Sequence, residues 1–289
     1  MNECRAAELP DRGAVRVRGE EARAFLQGLI TNNMDNVGER RAIHAGLLSP
    51  QGKILFDFFV VPEEGGFVLE CRKDAAAALR QRLTFYRLRA KIEIEDVPLK
   101  VAAVWGGGER CALAGFRSYA DPRRPDLGHR VLTPEDADLA ALPCAPGNEA
   151  EYHAFRIGLG VPEGGRDYAF GDTFPHEALF DQLHGVDFRK GCFVGQEVVS
   201  RMEHRGTARK RIVGIEADTG IPPTGTPIAA GGTEIGMVGS TSGMRGLALI
   251  RLDRAEEAKA KGLPLLAGDT PISLRIPEWA RFANSAVAQ

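Results

Sequence analysis

The stretch most able to do chemistry is residues 187–206, DFRKGCFVGQEVVSRMEHRG. Gly191 and Gly195 bracket Cys192, Arg189 and Lys190 precede it, and Val198, Val199 and Met202 recur at helical spacing after it. That order sets Cys192 at or near a helix N-terminus, where the helix dipole and neighbouring cations favour a thiolate, the form that attacks electrophiles and binds metals. Gln196 and Glu197 in the first turn add an amide and a carboxylate, a pair suited to the donors and acceptors on the edge of a pterin, with Lys190 available for a ligand carboxylate. Simpler assignments exist for the same residues. Cys192 could pack as a small hydrophobe, and Glu197 could do no more than stabilise its own helix. Asp57, inside the apolar run ILFDFF, could line a pocket or point to solvent on the polar side of a strand.

Other chemistries are poorly supported. The five cysteines (Cys4, Cys71, Cys111, Cys144, Cys192) are odd in number and widely spaced, with no C-x-x-C pair, which argues against a disulfide framework and against an all-protein zinc or iron–sulfur cage. The histidines lack metal-binding spacing, and no nucleophile elbow, Walker loop or dinucleotide fingerprint occurs, so the residues give no metal site. A net charge of −2 gives no global attraction to a polyanion. Two local basic clusters stand out, Arg80, Arg82, Arg87, Arg89 and Lys91, and Arg201, Arg205, Arg209, Lys210 and Arg211. Neither interleaves aromatics beyond Phe85 and Tyr86, which disfavours direct tRNA binding. The opening MNECRAAELPDRG resembles neither a secretory nor a transit segment and no apolar run reaches membrane-spanning length, so a cytoplasmic protein without membrane contact is expected.

The elements that must position these residues can be read from periodicity. Residues 20–31 form a helix with Phe25, Leu26, Leu29 and Ile30 on one side. Apolar runs at 43–48, 54–61 and 67–71, separated by SPQG and PEEGG, predict a strand meander. A helix from Asp74 to about Phe85 and strands near 91–96 and 99–105 complete a βββαββ order. Residues 111–147 are loop-rich, with a short strand near 129–132. Helices are predicted at 148–158, 176–183 and 195–204, then strands at 211–216, 234–240, 246–252 and 271–276 around a helix at 253–262, the pattern of a small β-barrel or sandwich. The 34 glycines, roughly one and a half times the usual share of about 7%, fit many tight turns.

The string KGCFVGQE at 190–197 resembles the diagnostic box of the YgfZ family, K-G-C-aromatic-x-G-Q-E, at every position, and FLQGLITNNM (25–34), LLSPQGKILFDFF (47–59), PHEALFDQL (175–183), RKRIVGIE (209–216) and EIGMVGSTS (234–242) resemble blocks of the wider glycine-cleavage T-protein (aminomethyltransferase) superfamily. This resemblance implies a T-protein-like α+β fold. It has a split N-terminal α+β domain (1–45 and 110–207), an inserted βββαββ-type domain (46–109) and a small C-terminal β-barrel (208–289). It also implies binding of tetrahydrofolate or a one-carbon derivative by Asp57, Lys190, Gln196, Glu197 and Arg201, with Cys192 and Lys190 as the reactive pair. The implied role is assembly or repair of [4Fe–4S] clusters in client enzymes, with iron–sulfur assembly or client proteins as partners and an indirect effect on tRNA modification. The alternative is a folate-dependent aminomethyltransferase or demethylating enzyme. Two departures disfavour it: Phe56 and Asp57 stand where that branch pairs two aspartates, and Arg156, Ile157 and Gly158 lack its pterin-contacting glutamate.

Overall fold

Residues 43–72 alternate so that one face of three neighbouring strands is apolar, and that face builds the main core of the N-terminal part. Ile43, Ala45, Leu47, Phe58, Val60, Leu69 and Cys71 point into it, as the two-residue period of a strand requires. The computed structural model describes residues 4–107, 113, 115–206 and 208–281, so Cys111 lies outside the described residues. Within it the chain divides into two compact units, 1–152 with 183–196, and 153–182 with 197–289.

The first unit contains β1 (Arg5–Glu8), β2 (Arg12–Arg18), α1 (Ala22–Gln27), β3 (Ile43–Leu48), β4 (Ile54–Glu63), β5 (Gly66–Arg72), α2 (Lys73–Arg87), β6 (Glu93–Val97), β7 (Leu99–Trp105), β8 (Arg117–Ala120), β9 (His129–Pro134), β10 (Ala145–Pro146) and the start of α3 (Glu149–Gly158). They form two five-stranded sheets, β3-β4-β5-β2-β6 and β10-β1-β7-β9-β8. The predicted order of three strands, a helix and two strands is present as β3 to β7. Two strands absent from the sequence reading join it: β2 lies between β5 and β6, and β1 pairs with β7 in the second sheet. Leu26, Ile30 and Met34 from α1 and the turn after it are fully buried in the first core, each worth roughly 1.5–3 kcal/mol of apolar burial.

The opposite face of that sheet is polar and equally buried. In the β3–β4 register His44 lies opposite Phe59 and Gly46 opposite Asp57, and on β5 Glu70 lies opposite Phe59. Glu70 is fully buried and accepts from Arg12 Nε at 3.0 Å and from the Tyr119 hydroxyl, with Arg130 at 3.6 Å. Asp121 takes Arg123 at 2.7 Å and Arg130 at 3.5 Å. The guanidinium carbons of Arg12, Arg123 and Arg130 stand 5.8, 5.0 and 5.5 Å from the Phe59 ring centre, within cation–π range. Burial opposes ionisation of Asp121, but Arg123 and Arg130 outweigh it and hold its carboxyl below the usual range. Burial and the Glu70 charge push the Tyr119 phenol well above its own. The two sheets of this unit are therefore joined by an ionic layer wrapped around one aromatic ring.

One expectation fails here. Parallel pairing of β1 with β10 sets Arg5 against Ala145 and brings the preceding Cys4 and Cys144 together as a disulfide, with Cα atoms 5.0 Å apart. A separation of 140 residues leaves no spacing signal in the sequence.

The second unit ends in a closed barrel, β11-β14-β13-β12-β15-β16. Its strands are β11 (Lys210–Glu216), β12 (Pro227–Ala230), β13 (Thr233–Ser242), β14 (Arg245–Arg251), β15 (Leu265–Ala267) and β16 (Thr270–Arg275), with α4 (Gln196–Arg205) before them and α5 (Leu252–Ala260) within. The helix expected at 176–183 is instead a run of turns. Leu179 has φ 63°, which breaks an α-helical ladder. The Glu177 carbonyl accepts from Ile212 N on β11 at 3.0 Å, and Asp181 is paired with Arg211 at 2.6 Å. Arg211, counted in the second basic cluster, is thus buried and neutralised. Arg156 is fully buried, held by Asp167 at 2.7 Å and by Ser240 Oγ on β13 at 2.7 Å.

Glu70→Ala is expected to cost about 3–5 kcal/mol, because it strips a buried carboxylate from Arg12 and leaves Arg130 with Asp121 alone. An unfolding free energy from urea titration lowered by that amount relative to wild type, with Glu70→Gln in between, checks it.

Candidate functional site

Cys192 is exposed on a loop whose every flank is anchored. The loop begins at residue 183 and is stitched to the segment after α1. Thr31 Oγ1 donates to Gly185 O at 2.5 Å and accepts from Gly46 N at 2.8 Å. Asn32 Nδ2 donates to the carbonyls of His44 at 2.8 Å and His184 at 2.7 Å. Asp187 N returns to Thr31 O at 3.1 Å, and the Asp187 carboxylate accepts from Arg189 N at 2.8 Å. Downstream, Phe193 is buried and Val194 packs on the first core. Gly195 has φ +80°, and a Cβ there would lie 2.6 Å from Ser49 O and 3.0 Å from the Gly52 Cα, so this glycine lets the loop seat on the SPQG turn between β3 and β4.

Lys190 is the central anchor. Its ammonium is buried and donates to Gln27 O at 2.7 Å, Ile30 O at 2.5 Å and Asn32 O at 3.0 Å. An ammonium has three protons, so all are committed to carbonyls at the end of α1, and none is left for a ligand carboxylate. Burial lowers its pKa to about 8, against the pull of Asp187. The loop thus fixes its backbone with the lysine and presents the cysteine. The helix itself starts at Gln196, leaving Cys192 four residues upstream of it.

The remaining predicted site residues are dispersed. Asp57 is buried on β4 rather than turned to solvent. Gln196 is half-buried at the first position of α4, while Glu197 and Arg201 are exposed on that helix. Glu197 and Arg201 fall in the second unit, and Asp57, Lys190, Cys192 and Gln196 in the first.

A cleft of about 600 Å³ in the first unit was not foreseen. Asn32, Arg40, Arg41, His44, Asp121, His184, Asp187, Phe188 and Arg189 are among its lining residues, and none of the predicted ligand residues is. His44 is buried on its wall with Nδ1 3.2 Å from Leu183 O. That carbonyl accepts, so the neutral ring carries its proton on Nδ1. Burial, reinforced by Arg123 and only partly offset by Asp57 and Asp121, lowers the His44 pKa to about 4. Volume and lining suit a ligand of cofactor size with polar edges. The signal that could have found it is dispersed over segments 32–44, 120–125 and 184–189, which only the fold brings together.

The fold is that of the T-protein class. The chain superposes on the glycine cleavage system aminomethyltransferase T of Bartonella henselae with a TM-score of 0.77 at 17% identity, over 96% of this chain and 87% of that one. Residues 209–282 match the family model for the CAF17 C-terminal β-barrel domain. The chain is 33% identical to the human mitochondrial iron–sulfur cluster assembly factor IBA57, over 96% of its own length and 82% of the relative's, and 31% identical to the mouse protein, over 94% and 84%. It belongs to the IBA57 family of iron–sulfur cluster assembly factors. The family named by the relatives is IBA57, which is related to the YgfZ group read from the KGCFVGQE box, and the T-protein-type fold and the iron–sulfur connection stand. These relatives are named as mitochondrial, which overturns the cytoplasmic assignment. No described helix is long and apolar enough to cross a membrane.

His44 gives the site a defined acid limit. Its folded pKa of about 4 lies below the ordinary 6.5 or so, so the unfolded chain binds the extra proton between those values and stability falls as pH falls through that window, by roughly 3 kcal/mol in all. Urea unfolding at pH 7 and pH 4 should show this loss in wild type and a smaller one in His44→Asn.

Proposed function

We propose that this chain supports assembly or repair of [4Fe–4S] clusters in client enzymes, with Cys192 as the thiolate that meets iron or sulfur of the cluster, its cargo. The observation that carries the reading is the pairing of an exposed cysteine with a loop immobilised by Lys190, Thr31, Asn32 and Gly195. Among the other described cysteines, Cys4 and Cys144 are bonded to each other and Cys71 is buried, where burial raises its thiol pKa to about 12. Thiolate chemistry accordingly concentrates on Cys192. One thiolate supplies one of the roughly four ligands that a cluster needs, so the remaining ones come from a partner protein, a second copy or glutathione. An effect on tRNA modification would follow indirectly, through clients that carry such clusters.

Tetrahydrofolate or a one-carbon derivative is the ligand we assign to the first unit. Lys190 does not suit it, because its protons are already used. The cleft suits it better: its volume is that of a cofactor-sized ligand, and Arg40, Arg41 and Arg189 on its lining offer cations for the glutamate carboxylates. When bound, that cofactor would bring one-carbon chemistry, and the residues of this chain would bind and orient it.

The reading is tested by aconitase-type activity in cells of the source organism that lack the gene, complemented at matched protein levels. Wild type and Cys71→Ser should restore activity, and Cys192→Ala should leave it at the level of the deletion. Restoration by Cys192→Ala, or cluster enzymes unaffected by the deletion under oxidative stress, would overturn it.

A further inference from the structure

The end of α2 and the turn into β6 carry a surface with no part in the site above. Phe85 and Leu88, one helical turn apart, are 74% and 86% exposed, and Phe85 meets Tyr86 edge-on at 5.8 Å. Leu88 closes the helix at φ 46°, ψ −106°, a conformation that suits glycine and strains a leucine. The turn is held from below. Lys91 N donates to the Glu21 carboxylate at 2.5 Å, and a Cβ on Gly19 would strike the Lys91 carbonyl. The fold thus retains a strained backbone that holds an aliphatic side chain out in water. Strain kept at an exposed apolar residue points to a contact made outside the chain.

The chemistry around it is basic. Arg82, Arg87, Arg89 and Lys91 are exposed, and no ion pair engages them among the described residues. A groove of about 710 Å³ runs beside the turn, lined by Arg87, Leu88, Arg89 and Lys91, by Arg18, which Glu63 reaches at 3.4 Å, and with Glu93 as its one carboxylate. Arg80 is spent on Asp96 at 3.0 Å, which confines the excess positive charge to the turn.

We propose that this surface docks an acidic protein segment bearing apolar side chains, with Phe85 and Leu88 as anchors and the groove receiving the segment's carboxylates. Charge complementarity identifies the occupant as acidic, and the anchors identify it as protein. Large side chains that bury in a partner's pocket carry most of an interface's energy. Leu88 offers no ring for a base to stack on, which disfavours single-stranded RNA. A flat lipid surface would leave the groove unfilled.

Fluorescence anisotropy of the full chain with a labelled amphipathic peptide of glutamate and leucine tests this directly, beside the same peptide with serine for leucine, a uridine oligonucleotide and vesicles of phosphatidylserine and phosphatidylcholine. The glutamate–leucine peptide should bind and the other three should not. Phe85→Ser, Leu88→Gly and Arg89→Glu should each weaken it about tenfold or more. Leu88→Gly also separates contact from folding, since relief of strain should raise its Tm by a few degrees while binding is lost. No binding by the peptide, unchanged affinity in Phe85→Ser and Leu88→Gly, or tighter binding of the oligonucleotide or vesicles would overturn the proposal.

Discussion

Glu70 and the guanidiniums around Phe59 are the constraint on which the first unit depends. The sheet β3-β4-β5-β2-β6 uses its apolar face for the main core, so its other face has to bury charge or stay wet. It buries charge: Glu70 and Asp121 are shared among Arg12, Arg123 and Arg130, with the Tyr119 hydroxyl closing the set. A buried pair of this kind adds little net stability compared with apolar packing, but it fixes geometry, because any displacement leaves a desolvated charge. Asp121 and His44 sit where this layer reaches the cleft.

The loop is built on the same economy of polar groups. The Lys190 ammonium binds three carbonyls at the end of α1, where a lysine is better suited than an arginine, since a compact three-donor head can converge on oxygens that a planar fork cannot. Anchoring of this kind turns an otherwise flexible glycine-bracketed segment into a fixed presentation of Cys192. A single exposed cysteine on an anchored loop offers one of the roughly four ligands that a cluster needs, which is what the proposed role asks of it.

Much of this was legible in the amino-acid order. The meander β3 to β5 and the helix α2 follow from alternation and from polar Gly/Pro turns, and the barrel strands β11, β13, β14 and β16 follow from the same period. β2 was legible in principle, since Val15 and Val17 alternate with Arg16 and Arg18 and both valines are fully buried, but its arginines mask the pattern. The segment 176–183 has helical composition, and tertiary demands override it: its carbonyl and carboxylate groups serve β11 and Arg211. The ionic layer was beyond reach because Arg12 and Glu70 are 58 residues apart, and nothing in the pattern around either residue announces the contact. The same holds for Cys4 and Cys144, and for the cleft. At the cysteine box, the residues alone offered Lys190 to a ligand carboxylate, whereas the structure gives its three protons to backbone carbonyls.

The central claim, that Cys192 is the thiolate that takes hold of the cluster, is tested most directly by anaerobic reconstitution of the purified chain with ⁵⁷Fe³⁺, sulfide and excess glutathione, the thiol reducing the iron in part, followed by Mössbauer quantification of cluster iron per chain. The account predicts a glutathione-shared cluster on wild type and on a Cys71→Ser variant, and none on Cys192→Ala. Equal cluster iron on wild type and Cys192→Ala would contradict it.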